Sequence, residues 1–239
     1  ESHTPYDYLY LYDNTEQNKL EKYDVLIYPH ALILTKERMR LLEAYVENGG
    51  TLIMGARTGY KDITGKCVME YLPGLAAKVT GTDIPEYSYV APDDGKVYVD
   101  WDGEKVEAAV FNDLLAPVGE NAKVLATYDS SYYKGTPALI CNQFGKGKAY
   151  YFGGAFAVDT AKLFLDRLEI SETYGDILEL PKECELAVRE KDGKRFFFVL
   201  NYSGEKKKIK LNLGMKDILE DKTIMGDIVL NPYEAKVLV

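Results

Sequence analysis

The sequence contains few of the residues that usually build metal or redox sites. Its 239 residues include two histidines, His3 and His30, and three cysteines, Cys67, Cys141 and Cys184. The cysteines lie far apart and form no Cys-x-x-Cys motif, so an odd number of reduced, partly buried thiols is expected. Two histidines provide too few ligands for a typical zinc centre, and we predict neither a metal nor another cofactor.

Long apolar runs and basic patches are also missing. No stretch of about 18 apolar residues is available to cross a membrane, and the opening "ESHTPYDYLY" lacks the basic and apolar regions of a signal peptide. The net charge of -9 disfavours nucleic acid, because phosphate binding needs clustered Lys and Arg. We therefore expect a cytoplasmic protein with neither a membrane nor a nucleic acid as partner.

The first part of the chain has the pattern of a βαβ unit. Asp24–Pro29, "DVLIYP", and Thr51–Met54, "TLIM", are short continuous apolar runs typical of buried parallel strands. Between them, Thr35 to Asn48 predicts a helix that Thr35 caps and Gly49 ends. Asp7–Tyr12, "DYLYLY", is a candidate for an earlier strand of the same sheet.

Alternating strands follow after Gly59. Hairpins are predicted around Asp102-Gly103 and around Gly145-Lys146-Gly147. A helix from Asp159 to Leu168 is expected to close a first domain, residues 1–174. The fold class of this domain is predicted to be α/β and Rossmann-like.

The last part of the chain has a different sequence pattern. Gly175–Glu183 is predicted to be a linker, and a hairpin is expected at Asp192-Gly193. Six or seven short strands over roughly 60 residues, without a helix, predict a small antiparallel all-β domain at residues 175–239.

The stretch Thr51–Gly59, "TLIMGARTG", places a glycine-framed turn after a buried strand, where several α/β enzymes carry a nucleophile. This resembles the Gly-x-Cys-x-Gly elbow of class I glutamine amidotransferases, with Arg57 in the cysteine's position. A guanidinium is always protonated and cannot attack a carbonyl. The late strand "AYYFGG" is followed by no histidine base, and a meeting of Cys67 with His30 would be accidental. We therefore interpret the elbow as a remnant without catalytic residues.

Two other features of the sequence bear on a function in sugar chemistry. Asp and Glu total 38, but none follows a barrel strand, because the chain has no (β/α)₈ pattern. The 20 tyrosines include the cluster Tyr128, Tyr132 and Tyr133, which could stack on a sugar ring. Tyrosine also packs strands and interfaces, and this second interpretation is favoured for the cluster.

The loop "GARTGYKD" leaves the carboxyl end of a parallel strand, the edge where α/β folds place functional groups. It contains Arg57, Tyr60, Lys61 and Asp62. These four residues are candidates for a subunit interface or for the rim of an active site. The alternative is a solvated loop with a local ion pair.

Four stretches in order resemble the C-terminal part of glycoside hydrolase family 42 β-galactosidases. They are "EKYDVLIYPHALILTKERMRLLEAYVENGGTLIMGARTGYKD", "YLPGLAAKVTG", "GTPALICNQFGKGKAYYFGG" and "LNPYEAKVLV". The resemblance implies a degenerate class I glutamine amidotransferase-like domain that mediates trimerisation, followed by a small β domain. The first strand and helix of the amidotransferase-like domain are expected to be missing.

The resemblance also implies what this chain does not contain. The family's two catalytic glutamates, and its zinc cluster where present, belong to a preceding TIM barrel. The chain is therefore predicted to be a non-catalytic assembly region that reaches a galactoside only through the missing barrel and self-associates. A carbohydrate-binding module, or an amidotransferase-fold hydrolase using Cys67 or Cys141, remain the alternatives.

Overall fold

The computed structural model describes residues 2–69, 71–91 and 93–239. In these ranges the helices are α1 Gln17–Leu20, α2 Lys36–Glu47, α3 Ala77–Thr80 and α4 Val158–Arg167, with a 3₁₀ turn at Gly74–Ala76. The first nine strands are β1 Val25–Tyr28, β2 Thr51–Gly55, β3 Thr82–Tyr89, β4 Tyr98–Trp101, β5 Glu104–Glu107, β6 Phe111–Pro117, β7 Ala122–Tyr128, β8 Pro137–Phe144 and β9 Gly147–Phe152. The remaining strands are β10 Leu178–Glu179, β11 Cys184–Lys191, β12 Lys194–Asn201, β13 Lys207–Asp217, β14 Lys222–Leu230 and β15 Ala235–Leu238.

The contacts divide the chain into two compact units. One contains Tyr10–Thr160, and the other combines the residues up to Leu9 with Ala161–Val239. The division falls within helix α4. Among the described residues, no helix has both the length and the apolar character needed to span a membrane.

The βαβ prediction is confirmed. Strands β1 and β2 pair in parallel, with Val25 opposite Thr51, and α2 connects them. The Thr35 side chain caps this helix by accepting a hydrogen bond from the Arg38 N–H at 3.2 Å. Its apolar face is buried through Met39, Leu41, Leu42, Tyr45 and Val46.

The larger sheet has the order β1-β2-β9-β8-β7-β4-β5. Only β1, β2 and β9 are parallel to one another, and the remaining neighbours pair antiparallel. Two-residue turns impose this on the pairs β4–β5 and β8–β9, because only antiparallel strands can be joined by so short a connection. The unit is accordingly rich in sheet and has few helices, with α/β character at one end of the sheet. Strands β3 and β6 form a separate antiparallel pair.

Both predicted hairpins in this unit are confirmed. Asp102-Gly103 joins β4 to β5, and Gly145-Lys146 joins β8 to β9. Gly147 is required by packing rather than by its φ angle, because a Cβ there would lie 2.2 Å from the Gly50 carbonyl oxygen. The helix predicted from Asp159 is also present, as α4.

The prediction of a strand at Asp7–Tyr12 is wrong. These residues adopt no regular secondary structure. The alternate tyrosines Tyr6, Tyr8, Tyr10 and Tyr12 are all exposed. A period-2 pattern of aromatic residues favours a strand only when a neighbouring strand supplies hydrogen bonds and a face to cover, and this segment has neither.

The other unit contains the six strands β10 to β15, so the antiparallel strands predicted for the last part of the chain are present. The hairpin at Asp192-Gly193 joins β11 to β12 as predicted. The linker prediction for Gly175–Glu183 is wrong in part, because Leu178 and Glu179 form strand β10 against β13. Leu178 is only 3% exposed and packs in the core with Phe197 and Ile209, so burial fixes this segment in the sheet.

Candidate functional site

The glycine-framed turn after β2 is tightly packed. Arg57 lies at its centre with φ +67°, a left-handed conformation that is uncommon outside glycine. Gly59 has φ +71°, and a Cβ there would lie 2.2 Å from the Pro73 carbonyl oxygen. At Gly55 a Cβ would lie 2.7 Å from the Phe156 ring. The two glycines are therefore explained by close packing, and Arg57 takes the strained central position.

The carboxylate of Asp113, on β6, holds this turn in place through hydrogen bonds. Asp113 is fully buried. Its Oδ2 accepts hydrogen bonds from the Arg57 backbone N–H at 2.9 Å and from the Tyr151 hydroxyl at 2.8 Å, and its Oδ1 accepts one from the Tyr60 hydroxyl at 2.7 Å. The Tyr128 hydroxyl donates to the Asp113 carbonyl at 2.9 Å. One residue thus ties the turn to β6, β7 and β9.

Burial governs the protonation of this cluster. Desolvation raises the pKa of the Asp113 carboxyl above its ordinary value, although hydrogen bonds from Arg57 and the tyrosines oppose the shift. Desolvation and the neighbouring Asp113 charge also raise the pKa values of Tyr60 and Tyr151, which remain neutral donors at physiological pH. The tyrosines of this cluster therefore act as neutral donors that hold the turn in place.

The Arg57 side chain lies on aromatic rings. Its guanidinium carbon is 4.3 Å from the Phe111 ring centroid and 5.6 Å from that of Tyr60. Such stacking is favourable and leaves the edge of the guanidinium plane available for hydrogen bonding. Within the described residues, the buried Nε of Arg57 has no hydrogen-bond partner. Arg57 pairs with a carboxylate through its backbone N–H, while its cationic group faces the rings.

The four candidate residues of the loop lie in two different places. Arg57 and Tyr60 converge on Asp113 and Phe111. Lys61 is half-buried, and its backbone bridges those of Ile33 and Cys67. Asp62 is exposed, and its Oδ1 accepts hydrogen bonds from the N–H and hydroxyl of Thr64 and from the Lys66 N–H, which lower its pKa. The Asp62 carboxylate therefore closes a local turn instead of facing Arg57.

The cysteines and His30 do not form a nucleophile and base. His30 Nδ1 lies 2.9 Å from the Ala56 carbonyl oxygen, whereas Cys67 is exposed in the loop after Lys61. Burial raises the pKa of the Cys141 thiol, which pairs with Tyr150, and also that of the buried Cys184 thiol. A thiol with a raised pKa is a poor nucleophile. Neither the half-buried Cys141 nor the buried Cys184 is therefore an activated thiol.

The tyrosine cluster is mostly core. Tyr128 and Tyr133 are buried with ring centroids 5.0 Å apart in an edge-to-face arrangement. Tyr132 is 72% exposed, and its hydroxyl donates to Glu86 Oε1 at 2.6 Å. Two of the three rings therefore pack the unit's interior, in line with the favoured interpretation. Among the described residues, no group of three or more His, Cys, Asp or Glu is placed to hold a metal ion.

Sequence reasoning missed the residues that complete the site. Asp113 lies 56 residues after Arg57, in a strand that carries no recognisable motif. Tyr151 and Phe111 are ordinary strand residues in the sequence. The one available signal was the polar pair Asn112-Asp113 inside the otherwise apolar strand "FNDLLAP", since a buried polar residue in a strand needs partners.

Comparison with known protein families identifies both parts of the chain. The family described as β-galactosidase trimerisation domain matches residues 14–173. The family described as β-galactosidase C-terminal domain matches residues 184–239. The chain therefore belongs to the glycoside hydrolase family 42 β-galactosidases, of which it contains the trimerisation and C-terminal domains.

Individual relatives agree with this assignment. The β-galactosidase Pbg of Clostridium perfringens is 31% identical over 91% of this chain and 32% of its own length. The β-galactosidase BgaA of Planococcus sp. strain SOS Orange is 31% identical over 90% of this chain and 32% of its own length. The chain thus spans about a third of the length of the curated relatives it matches, and the matched families do not include a catalytic barrel.

Solved structures show the same fold. Gan42B, a family 42 β-galactosidase from G. stearothermophilus, superposes with a TM-score of 0.81 at 25% identity, covering 92% of this chain and 32% of that chain. The β-galactosidase from Bacillus circulans sp. alkalophilus superposes with a TM-score of 0.81 at 24% identity, covering 91% and 33%.

Proposed function

We propose that this chain is the non-catalytic assembly region of a β-galactosidase. The observation that carries the proposal is the match of residues 14–173 to the trimerisation domain family, together with a nucleophile position that holds Arg57. In this proposal the chain self-associates, which the description of the family as a trimerisation domain supports, and it does so in the cytoplasm. Cleavage of terminal β-galactosides belongs to a barrel domain outside these 239 residues.

The fold supports a degenerate amidotransferase-like origin for the first domain. Strands β1, β2 and β9 are parallel, and the turn after β2 holds its central residue at φ +67°. A strained residue on a turn after a parallel strand is the geometry of a nucleophile elbow. We infer that this turn once presented a nucleophile and now presents an arginine.

We also propose that the two domains meet near residue 175, as residues 1–174 and 175–239. The family matches, which end at residue 173 and begin again at residue 184, support this boundary. The β10–β15 unit has its own core, formed by Leu178, Phe197, Val199, Ile209 and Leu230 among others. A separate core supports independent folding of the smaller domain.

The loop residues Arg57, Tyr60, Lys61 and Asp62 belong to this proposal as an interface or active-site rim. Arg57 and Tyr60 contribute a cation and an aromatic ring, the residue types enriched at the centres of protein interfaces. Asp62 shapes the turn that follows them.

Two measurements test the proposed function. The chain should hydrolyse neither a chromogenic galactoside nor glutamine, because no residue in the described ranges forms an activated nucleophile with a base. Turnover above buffer background that survives repurification would contradict this. Sedimentation velocity over a wide concentration range should reveal weak, concentration-dependent association, because the charge of -9 per chain opposes a tight trimer. A strictly monomeric profile in moderate salt would remove the assembly role from this chain.

A further inference from the structure

An aromatic surface lies beside the Arg57 turn. Tyr87 and Tyr89 project from the same face of β3 and are 55% and 60% exposed. Phe111 is paired directly with Tyr89 across β3 and β6, and its ring stacks on Tyr87 at 5.2 Å between centroids. Contiguous exposed aromatic rings mark interaction surfaces far more often than single exposed residues do. We call Arg57, Tyr87, Tyr89 and Phe111 the Arg57 patch.

The guanidinium of the Arg57 patch has a donor that is not used within the described residues. The guanidinium stacks on Phe111, and its buried Nε has no hydrogen-bond partner among the described residues. The carboxylate of Asp113 is already engaged by three other donors. A stacked guanidinium with donors left over at its edge fits a carboxylate arriving in its plane.

Backbone strain is concentrated at the same place. Arg57 has φ +67°, and Val110, directly before Phe111, has φ +65°. A left-handed conformation is a genuine outlier for a β-branched residue such as valine. Strained backbone of this kind clusters at binding and switch sites, where the surrounding structure holds it. The buried Asp113 carboxylate provides that hold for the Arg57 turn.

We propose that the Arg57 patch receives a carboxylate side chain from a second copy of this chain. The proposal rests on the self-association proposed above and specifies one of its contacts. Charge complementarity favours this occupant: the chain has 38 acidic against 29 basic residues, so an approaching copy presents mainly carboxylates. Around the arriving carboxylate, Tyr87 and Tyr89 cover the contact and exclude water, which strengthens the ion pair.

The test compares Arg57→Ala with a matched control. Arg57→Ala keeps the backbone N–H that bonds Asp113 and keeps a Cβ at the same φ, so the turn retains its anchor. Arg195→Ala makes the same change in net charge at an arginine that also lies over a tyrosine, 6.0 Å from the Tyr174 ring. Sedimentation velocity should show a dissociation constant about tenfold higher or more for Arg57→Ala. Arg195→Ala should associate like the wild type. The dissociation constant of Arg57→Lys should lie between those of the wild type and Arg57→Ala.

The outcomes separate this inference from the proposed function. If Arg57→Ala associates as tightly as the wild type, the Arg57 patch is not a contact, whereas assembly itself stands. A wild type that stays monomeric in moderate salt overturns both. A last experiment adds acetate to the monomer and follows its amide NMR shifts. If acetate binds in a way that depends on Arg57 while Arg57→Ala leaves association unaffected, the patch is a site for small carboxylates. That result would overturn the role of the second copy.

Discussion

The Arg57 backbone N–H donates to Asp113 Oδ2 at 2.9 Å, which joins the turn after β2 to strand β6. This hydrogen bond holds a residue in a left-handed conformation with a charged acceptor that has no exposure to water. Tyr60 and Tyr151 donate to the same carboxylate. The rigidity of the Arg57 turn, and therefore the presentation of its guanidinium, depends on Asp113.

Removal of the Asp113 carboxylate should destabilise the chain strongly. Asp113→Ala leaves the Arg57 N–H and two tyrosine hydroxyls without their acceptor, at a cost of about 3 kcal/mol or more. Asp62→Ala is the matched control, because it removes the same charge from an exposed carboxylate that closes a local turn. Its cost should stay below about 1 kcal/mol. Urea unfolding of both variants measures the difference, and equal losses would show that Asp113 is not the anchor.

The stability contribution of Asp113 should depend on pH in a defined direction. Its pKa in the folded chain is raised above the ordinary value of 3.8, because burial disfavours the charged form. The folded state then binds the proton more tightly than the unfolded state, and the contribution falls as pH rises from about 4 through the raised pKa. Asp113→Asn does not titrate, so the free energy of unfolding of the wild type minus that of Asp113→Asn should decrease over this range. Urea titrations at successive pH values test the sign, and an increase would mean that the three donors outweigh burial.

The strain at Val110 should be relieved by glycine. A left-handed conformation costs an L-residue about 1–2 kcal/mol, and Val110 is exposed, so little packing is lost. Val118→Gly is the control, since Val118 is equally exposed in an ordinary conformation and glycine there only adds unfolded-state entropy. Val110→Gly should be more stable than Val118→Gly by about 1–2 kcal/mol in thermal or urea unfolding. Equal stabilities would indicate that Val110 is not strained.

In the smaller unit, Lys236 should prove essential to a buried ion cluster. Its side chain is 5% exposed and contacts Asp217 at 2.9 Å, Glu220 at 2.9 Å and Glu234 at 3.2 Å. Desolvation works to lower the pKa of Lys236, but its hydrogen bonds to these carboxylates raise it overall. Lys236→Met leaves the fully buried Asp217 charge uncompensated, which should cost about 3–5 kcal/mol.

A double-mutant cycle provides the control for Lys236. Asp217→Asn removes the stranded charge and keeps an oxygen for the Leu219 N–H, which donates to Asp217 Oδ1 at 3.0 Å. The double variant Lys236→Met/Asp217→Asn should therefore recover part of the stability lost by Lys236→Met alone. Strictly additive losses would show that the two side chains do not act as a pair.

The sequence determined the local elements of this protein. The apolar runs at Val25–Tyr28 and Thr51–Gly55, with the capped helix between them, specify the parallel βαβ unit, because each depends on periodicity within a short window. Asp-Gly turns fixed two hairpins for the same reason. The chemistry of Arg57 was equally readable, since an arginine cannot act as a nucleophile in any environment.

Only the tertiary structure decided which distant residues complete the site. The fold brings strand β6 close to the turn, which places Asp113 within hydrogen-bond distance of the Arg57 N–H. No local sequence pattern encodes that approach. The raised pKa of Asp113 follows from burial, which depends on everything packed around the carboxylate. Strand formation also needs a neighbour to supply hydrogen bonds. Leu178 has such a neighbour in β13 and is therefore part of a sheet. The segment 7–12, despite its alternating pattern, found no such neighbour.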